Sequence, residues 1–479
     1  MRDVSLRRVA SLALPALVVL AAEPIYVLVD TAVVGHLGRV QLASLALGGS
    51  VLTVAAWLGT VLAYGTTGRS ARRYGAGDRP AAVTEGVQAS WIAFSAGLLV
   101  AIAAQPGAEP LARALSGGDP EVTAGAASWL RIAALGAPGL MLAAAGNGWL
   151  RGVQDTRRPL AYVLGANLLS AVLCPIFVFV LDLGLVGSAV ANVIAQTTGG
   201  VLFVRALVVE RVSLVPRPHV IGRQLVLGRD LLLRGAAFQV CFLSAAAVAA
   251  RFGTAALAAH QIALQLWMFC ALALDAVAIA AQSLIGAALG ASLADEARGL
   301  ARRIALIGGV AGTGFAVVIA ASAGFLPRWF STDPAVYEQA MVAWPWFVFM
   351  QPLAGVVFAL DGVLIGAGDV RYMRNLTLVG ALGGFLPAIW LAYAFDLGLG
   401  GVWAGLMLFV VIRLVALLLR LRSGRWAVTG ATVDQQATPS GQRSGSKTTA
   451  GSSAIGALSV GSAGASSDLS SNSQSTLDR

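Results

Sequence analysis

Glu23 and Asp30 are two carboxylates in an otherwise apolar run from Val9 to Val34. They stand seven residues apart, which is two helical turns, so a helix puts both on one face. A charged side chain at the centre of a bilayer costs energy, which makes any such residue a functional candidate. An apolar surrounding and a neighbouring carboxylate both govern whether such a group holds its proton. The pair can thus load and unload protons, as a proton-coupled carrier requires. Each also fits a plainer role. Asp30 suits a carboxylate hydrated at the outer interface, and Glu23 suits a group bonded to backbone freed by Pro24. Pro15 marks the other expected kink of this span.

Further polar groups stand in later apolar runs. Gln239, His260, Gln265, Asp275 and Asp361 are candidates to line a cavity. Asp275 lies deep in its run, whereas His260 lies near the expected outer end and suits an interfacial role. Asn167, Asn192 and Gln239 suit hydrogen bonds between helices before they suit a cavity. Trp57, Tyr64, Trp91, Phe238, Trp267 and Phe358 could wall a pocket for amphipathic cations, although packing is the plainer role for each. Asp155 and Asp369 sit among arginines and read as loop ion pairs. Cys174, Cys241 and Cys270 lack metal-ligand spacing and read as small apolar residues, so no metal is expected.

The elements that must position these groups follow from composition. Hydrophobic types make up 57% of the 479 residues and charged types 12%. Mean hydropathy is +0.79. A soluble domain carries about 25% charged residues, so the chain belongs in lipid. The net charge of +10 does not point to nucleic acid, because the basic residues sit in short clusters between apolar runs, as membrane loops do. Arg7 and Arg8 before an apolar stretch resemble a signal peptide, but the positions before Glu23 make a poor cleavage site.

A spanning helix needs about 20 apolar residues. The sequence predicts spans at 9–34, 43–66, 82–105, 123–148, 160–181, 187–208, 230–250, 257–289, 300–323, 338–364, 373–395 and 400–420. The eighth and tenth are long enough to be tilted or broken. One set of loops then holds Arg2, Arg7, Arg8, Arg69, Arg72, Arg73, Arg79, Arg151, Arg157, Arg158, Arg211, Arg217, Arg223 and Arg229, then Arg298, Arg302, Arg303, Arg371, Arg374, Arg422 and Arg425. The alternate set holds Arg39, Arg113, Arg251 and Arg328. The positive-inside rule puts both termini in the cytoplasm and the chain in the cytoplasmic (inner) membrane.

The halves repeat. Gly148-Trp-Leu-Arg-Gly152-Val-Gln-Asp155 matches Gly362-Val-Leu-Ile-Gly366-Ala-Gly-Asp369. Asp182-Leu-Gly-Leu185 matches Asp396-Leu-Gly-Leu399, and Asp119-Pro120 matches Asp333-Pro334. A repeat of six spans keeps its orientation, which implies a pseudo-two-fold axis along the membrane normal. The expected organisation is all-α. Lobe 1–208 and lobe 230–422 carry six helices each. Residues 209–229 form a polar linker and 423–479 a disordered, Ser/Gly-rich tail. Two bundles facing one cavity suit alternating access, and they suffice as a monomer. No GxxxxGK[ST] loop, HExxH motif or nucleophile–base pair is present, so neither an ATP motor, an enzyme nor a cofactor is expected.

These pieces resemble a known family. Pro24-Ile-Tyr-Val-Leu-Val-Asp30-Thr-Ala-Val-Val-Gly35-His-Leu-Gly38 is similar to the first-span signature of MATE (multidrug and toxic compound extrusion) transporters. Leu257-Ala-Ala-His260-Gln261-Ile-Ala-Leu-Gln265-Leu, Asp275, Ala281-Gln282-Ser-Leu-Ile-Gly286 and Asp361-Gly362-Val-Leu-Ile-Gly366 are similar to its DinF branch. The resemblance implies export of organic, often cationic, drug-like compounds by antiport against protons or sodium. It implies that Asp30 is the coupling carboxylate, Pro15 the kink linked to it, and Asn167 a polar position nearby. Relatives carry an acid where Cys174 precedes Pro175, and the NorM branch carries a Glu near Gln239. Those departures favour protons over sodium and leave Glu23 as a replacement carboxyl. A flippase of lipid-linked precursors is the alternative; it calls for a strongly cationic cavity, and only Arg131, Arg234 and Arg413 approach the spans.

Overall fold

The computed structural model describes residues 6–432. Twelve helices are long and apolar enough to cross a membrane, and the described residues contain no β-strand. They are α1 (Leu6–Gly35), α2 (Arg39–Gly75), α3 (Arg79–Leu115), α4 (Pro120–Gly152), α5 (Arg157–Val180) and α6 (Gly184–Val209), then α7 (Pro218–Arg251), α8 (Thr254–Gly290), α9 (Ala294–Ala321), α10 (Pro334–Gly366), α11 (Val370–Ala394) and α12 (Gly398–Ser423). All twelve expected spans are present. Most run several residues past the apolar stretch, because a helix continues into the headgroup region once its core is satisfied. α1 runs on through Pro15 and Pro24, and α8 and α10 are unbroken.

Sequence signals set the helix starts. Asp119 accepts from the amides of Glu121 and Val122, and Asp333 from that of Ala335. Each is followed by a proline whose fixed φ suits the first turn. Such a cap contributes roughly 1 kcal/mol. The repeated Asp-Pro pair is thus the start of α4 and of α10. The duplication recurs in the backbone. Gly38 and Gly253 both have positive φ, as do Gly77 and Ser292, Gln154 and Gly368, and Asp182 and Asp396.

Two expectations need correction. The polar linker is not 209–229, because Pro218 starts α7 with Arg217 extended before it. Proline at a first helical position reads in sequence like a loop breaker. The connection is therefore the short stretch 210–217. Arg79 donates to Glu210 at 2.7 and 3.0 Å and holds that carboxyl below the usual range. Trp91 Nε1 donates to the Leu214 carbonyl at 2.8 Å.

The tail does not begin as disorder either. Gly424 has φ +66° and turns the chain back after α12. Trp426 is then 1% exposed, and the Gly430 amide donates to the Leu289 carbonyl at 3.0 Å. Residues 433–479, the rest of the expected tail, lie outside the described residues.

Helices α1–α6 pack mainly on one another, as do α7–α12, while α8 crosses α1 and α2 to join the lobes. The join is tightest at the arginine-rich end. A Cβ at Gly75 would stand 2.0 Å from the Ala287 carbonyl oxygen, and one at Gly290 2.0 Å from that of Arg72. Small residues are what let two spanning helices approach so closely. Above this crossing Arg72 donates to the carbonyls of Ala367 (2.7 Å), Val428 (2.9 Å) and Gly430 (3.0 Å). Replacing Arg72 by Ala should cost about 2–4 kcal/mol of closure at this end, because three carbonyls lose a charged donor. Spin-label distances between the α2–α3 and α8–α9 loops should lengthen in that variant; an unchanged distance would show that the helix crossing alone keeps the end shut.

Candidate functional site

Among the described residues, three cavities within the spans bear on the candidate groups. In the first lobe, α1 brings Glu23, Tyr26 and Asp30 to one cavity wall by helical spacing. That cavity holds about 340 Å³ and is completed by Trp129, Asn192 and Gln196. Asp30 is 5% exposed. Its Oδ1 accepts from Ser188 Oγ at 2.7 Å and from Cys174 Sγ at 3.1 Å. Ser188 in turn accepts from Trp129 Nε1 at 3.2 Å, which orients it. Beside it, Asn192 donates to the Tyr26 hydroxyl at 2.8 Å. Asp30 is thus a buried, hydrogen-bonded group and not merely a hydrated interfacial one. Cys174 is correspondingly more than a packing residue.

A second cavity of about 160 Å³ adjoins the first through Glu23 and is lined by Asn167, Tyr64 and Arg151. Asn167 therefore shares a cavity with Glu23, whereas the lining around Asp30 does not include it. Arg151, which reads as a loop residue, is 5% exposed at the end of α4. The loop reading holds for its neighbours. Asp155 pairs with Arg158, and Asp369 with Arg420 at 2.7 Å.

The second lobe holds the largest of the three, about 430 Å³. Trp267, Phe358, Phe238 and Trp403 form part of its wall, and Asp275 and Asp361 both reach it. Tyr64 of the first lobe donates to Asp275, so this bond crosses between lobes. Arg234 and Arg413 each donate to Oδ2 of Asp361 at 2.5 Å. In sequence these arginines count only as too few for the strongly cationic cavity that a lipid-precursor flippase calls for. Their convergence from α7 and α12 on one residue of α10 leaves no mark in linear spacing.

Three candidates fall elsewhere. Gln239 and Gln265 are exposed on their helices and line none of these cavities. The helical turn, invisible in a list of polar residues, aims them away. His260 is 0% exposed, not interfacial. It packs edge-on to Trp403 at 5.8 Å and stays off the cavity lining. Among the described residues no cluster of His, Cys, Asp and Glu could hold a metal ion.

The MatE family model matches residues 15–176 and 231–390, one segment in each lobe. The chain belongs to the MatE family. Protein DETOXIFICATION 44, chloroplastic, of Arabidopsis thaliana is 34% identical over 87% of this chain and 83% of its own length. DNA damage-inducible protein F of Escherichia coli (strain K12) is 32% identical over 87% of this chain and 92% of its own, which bears out the likeness to the DinF branch. A solved structure described as MATE in the bent conformation superposes with a TM-score of 0.79 at 23% identity, covering 88% of this chain and 95% of that one. That likeness shows the fold. A MatE chain with these twelve spans is a multi-pass membrane transporter, not an enzyme.

The donors around Asp30 give a direct test within this family fold. Ser188→Ala removes the shorter donor and should cost about 1–3 kcal/mol, read as a lower thermal midpoint and a lower transport rate. Cys174→Ser keeps a donor and should keep transport, whereas Cys174→Val should not. Equal rates in all three variants would mean that these donors are dispensable.

Proposed function

We propose that the protein is a secondary antiporter of the inner membrane, with its arginine-rich end and both termini in the cytoplasm. It exports organic, drug-like compounds in exchange for protons. The observation that carries this reading is the environment of Asp30. The group is buried, it faces a cavity, and its two hydrogen-bond donors are neutral. A carboxylate held by guanidinium groups keeps its charge, because neutralising it would leave buried cations unpaired. Asp361 is paired with two arginines. Asp30 is not, so it can change charge without breaking an ion pair. Glu23, between the two first-lobe cavities, is the second carboxyl on the same path.

Alternating access supplies the cycle. The lobes meet at the cytoplasmic end through Arg72 and the α2–α8 crossing. Protonation of Asp30 from outside changes the charge in the first lobe and favours release outward. Deprotonation toward the cytoplasm resets it. Coupling of this kind needs only a differential affinity of the two conformations for the proton.

The test is flux into proteoliposomes under an imposed proton gradient and, separately, a sodium gradient. Wild type should move cargo against its gradient only in the proton arm. Asp30→Asn should lose that flux while keeping the wild-type thermal midpoint. Full flux in Asp30→Asn, or drive by sodium alone, would overturn the assignment.

A further inference from the structure

The second-lobe cavity has an unusual charge inventory. Arg234 and Arg413 both spend a donor on the same oxygen of Asp361. Their side chains are 14% and 5% exposed. The Nε atoms of both are buried without a partner, and so is Oδ1 of Asp361. Asp275, bonded to Tyr64, lies within electrostatic reach of Arg234 and Asp361 in this cavity and of Arg151, which is also buried, outside its lining. The lining therefore holds two guanidinium groups and two carboxylates, and both guanidinium groups converge on Asp361, which leaves a local excess of positive charge at that carboxylate. The Phe238 ring lies 5.1 and 4.9 Å from the two guanidinium carbons. Its face attracts cations but cannot accept their in-plane donors.

A second, independent feature points the same way. Gln282 is 1% exposed and lines this cavity, and both polar atoms of its side chain are buried without a partner. Buried polar groups are normally paired, because an unmet one costs its full desolvation. Unpaired arginine and amide donors on a largely apolar wall, part aliphatic and part aromatic, describe a receptor for a polar head on an apolar body.

We propose that the second-lobe cavity binds an amphipathic organic monoanion, with its carboxylate taken by Arg234, Arg413 and Gln282 and its apolar body held against the wall formed by Trp267 and Phe358. The planar fork of arginine matches a carboxylate in two parallel hydrogen bonds. A volume of about 430 Å³ falls in the usual range for small-molecule sites. At Asp361 a cationic head finds a carboxylate already shared by two arginines. This names the cargo class of the transporter proposed above and rests on that reading for its meaning in export. The binding itself does not depend on proton coupling.

The experiment is calorimetric titration of the purified full-length chain with 2-naphthoate and, separately, with 2-naphthylmethylammonium. The two share a ring system and differ in the sign of the head. Naphthoate should bind about ten-fold tighter or more, as expected when charged hydrogen bonds are made to one and not the other. Arg234→Gln leaves one guanidinium on one carboxylate, a neutral pair that keeps the fold, and should lose that advantage. Arg234→Lys should recover part of it. Equal binding of the two probes, tighter binding of the ammonium, or naphthoate affinity unchanged in Arg234→Gln would each overturn the proposal. No gradient is present in the titration. A protein that binds naphthoate but moves it without proton dependence would refute only the coupling through Asp30.

Discussion

The guanidinium of Arg72 fastens the two lobes at one end, and the layout of the interior follows from that. It rises from α2 in the first lobe, and its partners are carbonyls of the second lobe and of the segment after α12. Carbonyl dipoles accept from the two terminal nitrogens of Arg72 without cancelling its charge, so the contact carries no ion-pair desolvation on the partner side. Beneath it, Gly75 and Gly290 allow α2 and α8 to cross with no side chain between them. Other cross-lobe bonds reinforce this half of the bilayer, among them Ser283 to the Arg151 carbonyl and Gln224 to Glu85. With that end closed, the cavities form between and within the lobes above it.

Lipid offers no water to a buried ion, so each charged group inside the spans must be judged by its partners. That criterion divides the carboxylates. Asp30 has a hydroxyl and a thiol, Asp275 a phenol, Asp361 two guanidinium groups. Similar chemistry in sequence thus becomes three different electrostatic positions. The first-lobe cavity around Asp30 has only acids among its charged lining, whereas the second-lobe cavity has arginines beside its acids.

Much of the fold was legible because the bilayer imposes a simple length rule. Twelve apolar runs gave twelve helices, and Asp30 stood out because a carboxylate in such a run is costly. Its partners did not stand out. Ser188 and Cys174 lie 158 and 144 residues away, and a serine or cysteine in a span has many ordinary uses. Arg151 sits among loop arginines in the chain, yet the last turn of α4 is buried. Depth along a helix was readable, but the direction a side chain faces was not, which is why His260, Gln239 and Gln265 were misplaced. Pro218 signals a helix start as readily as a loop, and only the fold decides between them.

The paired left-handed turns at Gly38 and Gly253, Gln154 and Gly368, and Asp182 and Asp396 show two copies of one scaffold. Such turns are hard to move, because each depends on a backbone conformation that few residues tolerate. The side chains facing inward carry no such restriction. A duplicated scaffold therefore keeps a fixed frame and a free interior, and here one interior cavity carries only acids among its charged lining while the other carries arginines paired with acids. One pocket repeated without change would hold a single charge pattern. Two copies can specialise, and selection on one no longer constrains the other.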